Sequence, residues 1–141
     1  MQPRANKEQS SVDKTIPEVP VASAAIRKMG VPLSPVVKAG GFVYVSGMPP
    51  LDLETGAIVR GDIAVQTELS LKNVKRALES AGSSLEKVVK VHIYCANAAY
   101  YRIINEIYGR YFTNNFPART FVPVASWPME FDIEIDCVAI E

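Results

Sequence analysis

Asp62-Ile63-Ala64-Val65-Gln66-Thr67-Glu68-Leu69-Ser70-Leu71-Lys72-Asn73-Val74-Lys75-Arg76-Ala77-Leu78-Glu79-Ser80-Ala81-Gly82 reads as one amphipathic helix, and the fold follows from what flanks it. Ile63, Thr67, Leu71, Val74, Leu78 and Ala81 fall within about 80° of arc at 100° per residue. Glu68, Lys72, Lys75, Arg76 and Glu79 lie on the other side. Asp62 is the expected N-cap and Gly82 the expected stop. The pattern then switches to β: Val88 to Cys95 reads as a strand, with Val89, Val91, Ile93 and Cys95 on one face and Val88, Lys90, His92 and Tyr94 on the other.

Upstream, Val36-Val37-Lys38-Ala39 and Phe42-Val43-Tyr44-Val45-Ser46 flank Gly40-Gly41, a strong hairpin signal. Gly47-Met48-Pro49-Pro50 ends the second run, and Asp52 to Gly56 supplies a turn before the short run Ala57-Ile58-Val59. Downstream, a second helix is expected from about Asn97 to Phe112, with an apolar stripe of Tyr100, Ile103, Ile104, Ile107 and Tyr111. Asn105 stands off that stripe. Strands return at Arg119 to Val124 and Asp132 to Ile140, joined through Ser126-Trp127-Pro128. The expected fold is therefore α+β, with about six short strands in one mixed sheet and two helices on one of its faces.

With 141 residues, 48% of them hydrophobic, the chain suits a single domain able to bury a real core. Residues 1–22 are read as a mobile N-terminal extension and 23–141 as the domain. The extension mixes Arg4, Lys7, Glu8, Asp13 and Lys14 with polar residues and lacks the apolar centre of a signal peptide. A formal net charge of zero argues against a general nucleic-acid binder, and no apolar run approaches the length of a membrane span. Cys95 and Cys137 sit among apolar residues and are expected as buried reduced thiols. The cytoplasm is the default compartment, and neither a CxxC nor a nearby histidine supports a metal site.

Two stretches carry the chemistry. Asn115-Phe116-Pro117-Ala118-Arg119-Thr120 places an arginine just after a proline at a strand start, and a guanidinium fixed there is a ready receptor for a small carboxylate. Asp132-Ile133-Glu134-Ile135-Asp136 puts three carboxylates on one face of the next strand, where an acid can move a proton or position water. Spacing alone does not separate this reading from a surface salt bridge and a solubilising acidic face. His92, the only histidine, has no patterned partner, so a triad is not indicated and a structural or interface role is expected. No phosphate-cradling glycine motif occurs, and no nucleotide cofactor is expected.

An ordered set of motifs adds to this. It comprises Val45-Ser46-Gly47, Asp52 with Thr55-Gly56, Gln66-Thr67, Ala81-Gly82-Ser83-Ser84-Leu85, Val88-Val89-Lys90-Val91, Asn105-Glu106 with Tyr108 and Tyr111-Phe112, Pro117-Ala118-Arg119 and Ile133-Glu134-Ile135. From about Pro32 to the C-terminus the chain resembles the Rid family of reactive-intermediate deaminases, also called the YjgF or L-PSP family. The resemblance implies a chorismate-mutase-like homotrimer with sites between subunits, and cofactor-independent hydrolysis of small enamines and imines such as 2-aminoacrylate to 2-keto acids and ammonia. It assigns the substrate carboxylate to Arg119, the acid to Glu134, and substrate contacts to Ser46, Gly47 and Asn105.

Three positions depart from the family pattern. Val31-Pro32-Leu33 stands where Gly-Pro-Tyr is frequent, so Leu33 replaces a site hydroxyl. Met48 replaces a glutamine, and Phe121 occupies a position where cysteine or another small residue is common. The pocket expected is less polar and suits a bulkier substrate. In the mechanism implied, Arg119 clamps the carboxylate, Glu134 handles water and the proton, and backbone N–H groups near Gly47 and Phe121 hold an oxygen. Three other readings stay open: a module that binds a small carboxylate without turnover, a specialised catabolic deaminase of a bulkier enamine, and RNA cleavage or translational inhibition, which the neutral charge supports least.

Overall fold

The structure is a computed structural model and describes residues 13–141. Helix α1 (Ala22–Met29) precedes β1 (Val36–Ala39) and β2 (Phe42–Met48); α2 (Ile63–Ser80), β3 (Val88–Cys95), α3 (Tyr101–Tyr111), β4 (Ala118–Pro123) and β5 (Ile133–Ile140) follow. The strands form one mixed sheet in the order β1-β2-β5-β3-β4, antiparallel throughout except for the parallel β3–β4 pair at one edge. The β1–β2 turn is a two-residue hairpin in which Gly40 (φ 59°) and Gly41 (φ 82°) both take the left-handed conformations such turns require.

The long helix forms as its sequence dictates. Asp62 accepts from Val65 N–H at 2.9 Å, and Gly82, at φ 76°, ends it. Its buried side is wider than the apolar stripe, because Gln66, Ser70 and Asn73 are buried with it. Each is satisfied and pins a neighbour: Ser70 Oγ donates to Met48 O at 2.9 Å and Asn73 Nδ2 to Leu51 O at 2.8 Å. These bonds fix the chain where it leaves β2. Leu71, Val74 and Leu78 meet Val43, Val91, Ile93, Ile133 and Ile135 in a core with almost no solvent exposure. Removing such a side chain costs about 2–5 kcal/mol.

The structure corrects several expectations. The sheet has five strands, not six: around Ala57-Ile58-Val59 only an isolated Leu51–Ile58 bridge forms. A third helix, α1, lies where the sequence pattern suggested none. Of the N-terminal extension, residues 1–12 lie outside the described residues, whereas Thr15 exchanges two backbone hydrogen bonds with Lys38 and Val19 is in the core. On β3 a register shift between Val88 and Lys90 turns Val88 inward (6% exposed) and Val89 outward (43%), reversing that pair. The second helix begins at Tyr101, after a 3-10 turn (Ala98–Tyr100) capped by Asn97. Its buried face is Ile104, Ile107 and Tyr108, with Ile103 exposed.

Candidate functional site

The Glu134 end of the site is built by the end of β2. Between Val45 and Met48 the β2–β5 register slips, so Ser46 and Gly47 stand opposite Asp136 alone and the strand bends there. Ser46 Oγ donates to Ser34 O at 2.6 Å, and Ser46 N–H donates to Pro35 O at 3.0 Å, tying the Val31–Pro35 stretch to β2. Gly47 is glycine for a spatial reason: a Cβ there would overlap Glu134 Oε1 and lie 2.5 Å from Glu134 Cδ. The carboxyl therefore lies directly on the Gly47 backbone. Burial pushes the Glu134 carboxyl above its ordinary pKa, and the neighbouring Asp136 carboxylate adds to the rise. Beside it is a cavity of about 100 Å³ bordered by Leu33, Ser46, Gly47 and Met48.

An alanine at position 47 would displace the flexible end of Glu134 and leave the backbone in place. Gly47→Ala is therefore expected to keep its melting temperature within a few degrees and to lower any rate that depends on the Glu134 carboxyl by about tenfold or more, because reacting groups tolerate little misplacement. Thermal denaturation and steady-state rates, measured on one preparation, check both parts.

The Arg119 end lies elsewhere. After α3, Asn115 takes a positive φ of 45° and turns the chain into Phe116-Pro117, from which β4 starts. The Arg119 guanidinium sits over the Tyr108 ring at 4.8 Å and the Tyr101 ring at 5.8 Å, with Nη2 donating to Tyr101 Oη at 3.5 Å. Phe121 packs edge-on against Tyr101 at 5.0 Å. Tyr101, Asn105 and Tyr108 follow the i, i+4, i+7 spacing of one helix face, so Asn105 stands between the two rings that hold the arginine. Asn105 Oδ1 and Tyr108 Oη are both buried without a hydrogen-bond partner among the described residues. Burial raises the Tyr108 phenol to about 12, against the opposing pull of Arg119. No carboxylate of the described residues pairs with Arg119.

These two ends do not meet in one chain. Arg119 is in register with Val91 and shares its helix-side face, whereas Glu134 is in register with Tyr94 on the opposite face. Strand β3 also separates β4 from β5. The structure thus unites Leu33, Ser46, Gly47 and Glu134 at one place and Asn105, Arg119 and Phe121 at another. Asp132 corrects the expectation of three carboxylates on one face: it precedes β5 and turns to α2, where Gln66 Nε2 donates to its Oδ2 at 3.0 Å. Asp136 pairs with His92 Nδ1 at 2.7 Å on the face opposite the helices, a half-exposed position that gives the histidine a structural partner. Sequence reasoning does not single out Tyr101 and Tyr108 as site residues, although their spacing about Asn105 carries the signal.

Comparison with known proteins agrees with this architecture. The profile of the family described as endoribonuclease L-PSP matches residues 24–141. A RutC family protein of Pyrococcus abyssi is 43% identical over 108 residues, which span 77% of this chain and 85% of that one. A human protein named 2-iminobutanoate/2-iminopropanoate deaminase is 37% identical over 110 residues, covering 78% of this chain and 80% of its own length. A solved structure of a conserved Rid-family protein of unknown function from Yersinia pestis superposes with a TM-score of 0.84 at 35% identity, covering 92% of this chain and all of that one. Its five-stranded mixed sheet with three helices, its match over residues 24–141 and these relatives place the chain in the Rid family, also known as the YjgF or L-PSP family.

Proposed function

We propose that the protein is a cofactor-independent hydrolytic deaminase of small enamines and imines, converting 2-aminoacrylate-like compounds to 2-keto acids and ammonia. The observation that carries this reading is Arg119, a guanidinium held on two tyrosine rings with no carboxylate of its own among the described residues. Such a group binds a substrate carboxylate through two parallel hydrogen bonds. Asn105, on the helix face that carries Tyr101 and Tyr108, is read as a further substrate contact.

Glu134 supplies the proton chemistry. With its pKa raised, the carboxyl exchanges a proton nearer neutrality than an ordinary glutamate does. As carboxylate it accepts a proton from water while the water oxygen adds to the imine carbon. As acid it returns that proton to nitrogen, giving a carbinolamine; it then takes the carbinolamine hydroxyl proton and passes it to nitrogen as the C–N bond breaks, so that the C=O forms and ammonia leaves a keto acid. An enamine first takes a proton at its terminal carbon. Imines hydrolyse readily unaided, so positioning supplies most of the acceleration.

Because Arg119 and Glu134 face opposite sides of one sheet, the reading requires two copies, one presenting Arg119 and the other Glu134. We take the assembly to be a chorismate-mutase-like homotrimer with the sites between subunits. A β4 edge unpaired among the described residues supports association, as do Phe42 (41% exposed), Tyr44 (46%), Ile140 (45%) and Phe116 (71%). Buried unpaired thiols at Cys95 and Cys137 fit a reducing compartment such as the cytoplasm. A second reading, carboxylate binding without turnover, draws on the apolar surroundings that Leu33 gives Glu134.

The test is imine loss, with the imine generated in situ from serine by a pyridoxal-phosphate dehydratase. Faster loss with the wild-type protein is the expected result. No acceleration, together with saturable keto-acid binding that needs Arg119, would establish the second reading instead.

A further inference from the structure

Strands β3 and β5 place a group of titratable side chains on the sheet face opposite the helices. Register pairs His92 with Asp136 and Tyr94 with Glu134, and alternation along each strand keeps all four on that face. His92 Nδ1 and Asp136 Oδ1 lie 2.7 Å apart, with the two side chains 35% and 28% exposed. An ionised carboxylate has no hydrogen to give, so Nδ1 carries the hydrogen and donates it to Asp136. The ring then takes a further proton at Nε2. The other titratable side chains that the strands present on this face, among the described residues, are Lys90 on β3 and Tyr44 on β2. Strand β4 offers no charge there: its Thr120 accepts at Oγ1 from Lys90 Nζ at 2.8 Å.

Asp136 and Glu134 are neighbours on one face of β5, roughly 7 Å apart by the rise of a strand. Two unit charges at that distance shift one another by about half a pH unit in water, and by more where they are half-buried. Burial raises both the Glu134 carboxyl and the Tyr94 phenol, and the Asp136 charge adds to each rise. Tyr94, stacked on His92 at 6.1 Å, therefore stays a neutral phenol and brings no charge of its own. What changes is the charge of the pair. With a neutral imidazole, His92 and Asp136 together carry one negative charge, and Glu134 holds its proton more tightly. With an imidazolium they carry none, and that hold is relaxed.

We propose that His92 is a positioning residue for the reaction, acting on Glu134 through Asp136. It fixes the Asp136 carboxylate and, on taking a proton from solvent, cancels its charge, so that Glu134 stays a carboxylate in mildly acidic solution. The inference rests on the deaminase reading above. The carboxylate is the form that accepts a proton from the attacking water, so His92 extends the working range of this base to lower pH.

The test follows the Glu134 carboxyl carbon by NMR against pH in the full-length protein, its signal identified by its loss in Glu134→Gln. Over the same range kcat/KM is measured for the serine-derived imine; every chain meets one substrate, so the substrate's own titration cancels. His92→Asn keeps a donor at the place of Nδ1 but cannot become a cation. Its Glu134 midpoint, and the acid limb of kcat/KM with it, should rise by about half a pH unit or more. Adding Asp136→Asn to that chain should bring both back down by the same amount, because the uncancelled charge is then gone. A merely structural histidine would change the melting temperature and leave the midpoint in place, which would overturn the proposal. A rise that survives the added Asp136→Asn would overturn the route through Asp136. A raised midpoint with an unmoved kinetic limb would overturn the role in the reaction and leave the deaminase reading standing. No imine loss with any chain at any pH would overturn that reading and the role of His92 together.

Discussion

Arg119→Ala is expected to lower kcat/KM for imine hydrolysis by about thirtyfold or more, because truncating one partner of a hydrogen-bonded charge pair costs about 2–5 kcal/mol. KM and kcat should both suffer, since the same contact that binds the carboxylate also aims the imine carbon. The fold should tolerate the change. Arg119 is on the edge strand, and what the chain loses is its contact with the Tyr101 and Tyr108 rings, worth about 1 kcal/mol. Arg119→Lys separates charge from geometry: it keeps the cation and loses the planar fork, so its activity should fall between those of wild type and Arg119→Ala. Equal activity in Arg119→Lys and wild type would mean that a point charge suffices and that the paired hydrogen bonds are not used.

Glu134→Gln is expected to cost about 10²–10⁴-fold in kcat, the usual contribution of a positioned acid or base. The amide matches the carboxyl in shape over Gly47, so binding of a keto acid should be largely retained. The residual rate should also lose the wild-type pH limb that reports Glu134. Stability moves the other way. Burial, with Asp136 adding to it, raises the folded-state pKa of Glu134, so ionisation opposes the fold. The stability contributed by the protonated carboxyl is fully present below the ordinary glutamate range and is lost as pH rises through the raised folded value. The substituted amide is neutral at every pH, so Glu134→Gln should be at least as stable as wild type near neutrality, with the advantage vanishing in acid. Melting curves at several pH values check this. A variant less stable than wild type at neutral pH would show instead that the charged carboxylate is held by favourable contacts.

The legible parts of this molecule are those fixed by local chemistry. Asp62 and Gly82 bound the long helix because a cap and a left-handed stop are read from single residues. Gly40-Gly41 marks the hairpin for the same reason. What periodicity misses is decided by longer-range contacts. A single register slip reverses Val88 and Val89, although strict alternation is unambiguous on paper. Gln66, Ser70 and Asn73 are polar yet buried, because carbonyls from the β2 exit and Asp132 come to meet them. Helix α1 lacks a side-chain cap, and its N-cap Val21 takes φ 67°, an unfavourable conformation for a β-branched residue. Tertiary packing of Ala22 and Ile26 holds it, and no local signal announces that. The site residues are readable as motifs, but spacing along a chain cannot say which face of a sheet a strand offers. Only the register of β3 with its two neighbours separates Arg119 from Glu134.

That separation makes complementation between two defective chains the most direct measurement. Arg119→Ala and Glu134→Gln chains, each retaining only a small residual rate alone, are unfolded, mixed in equal amounts and refolded together. If every site takes Arg119 from one subunit and Glu134 from its neighbour, random assembly restores roughly a quarter of wild-type activity. No recovery in a mixture that has demonstrably exchanged subunits would contradict a site shared between chains, and with it the account given of how this fold does its chemistry.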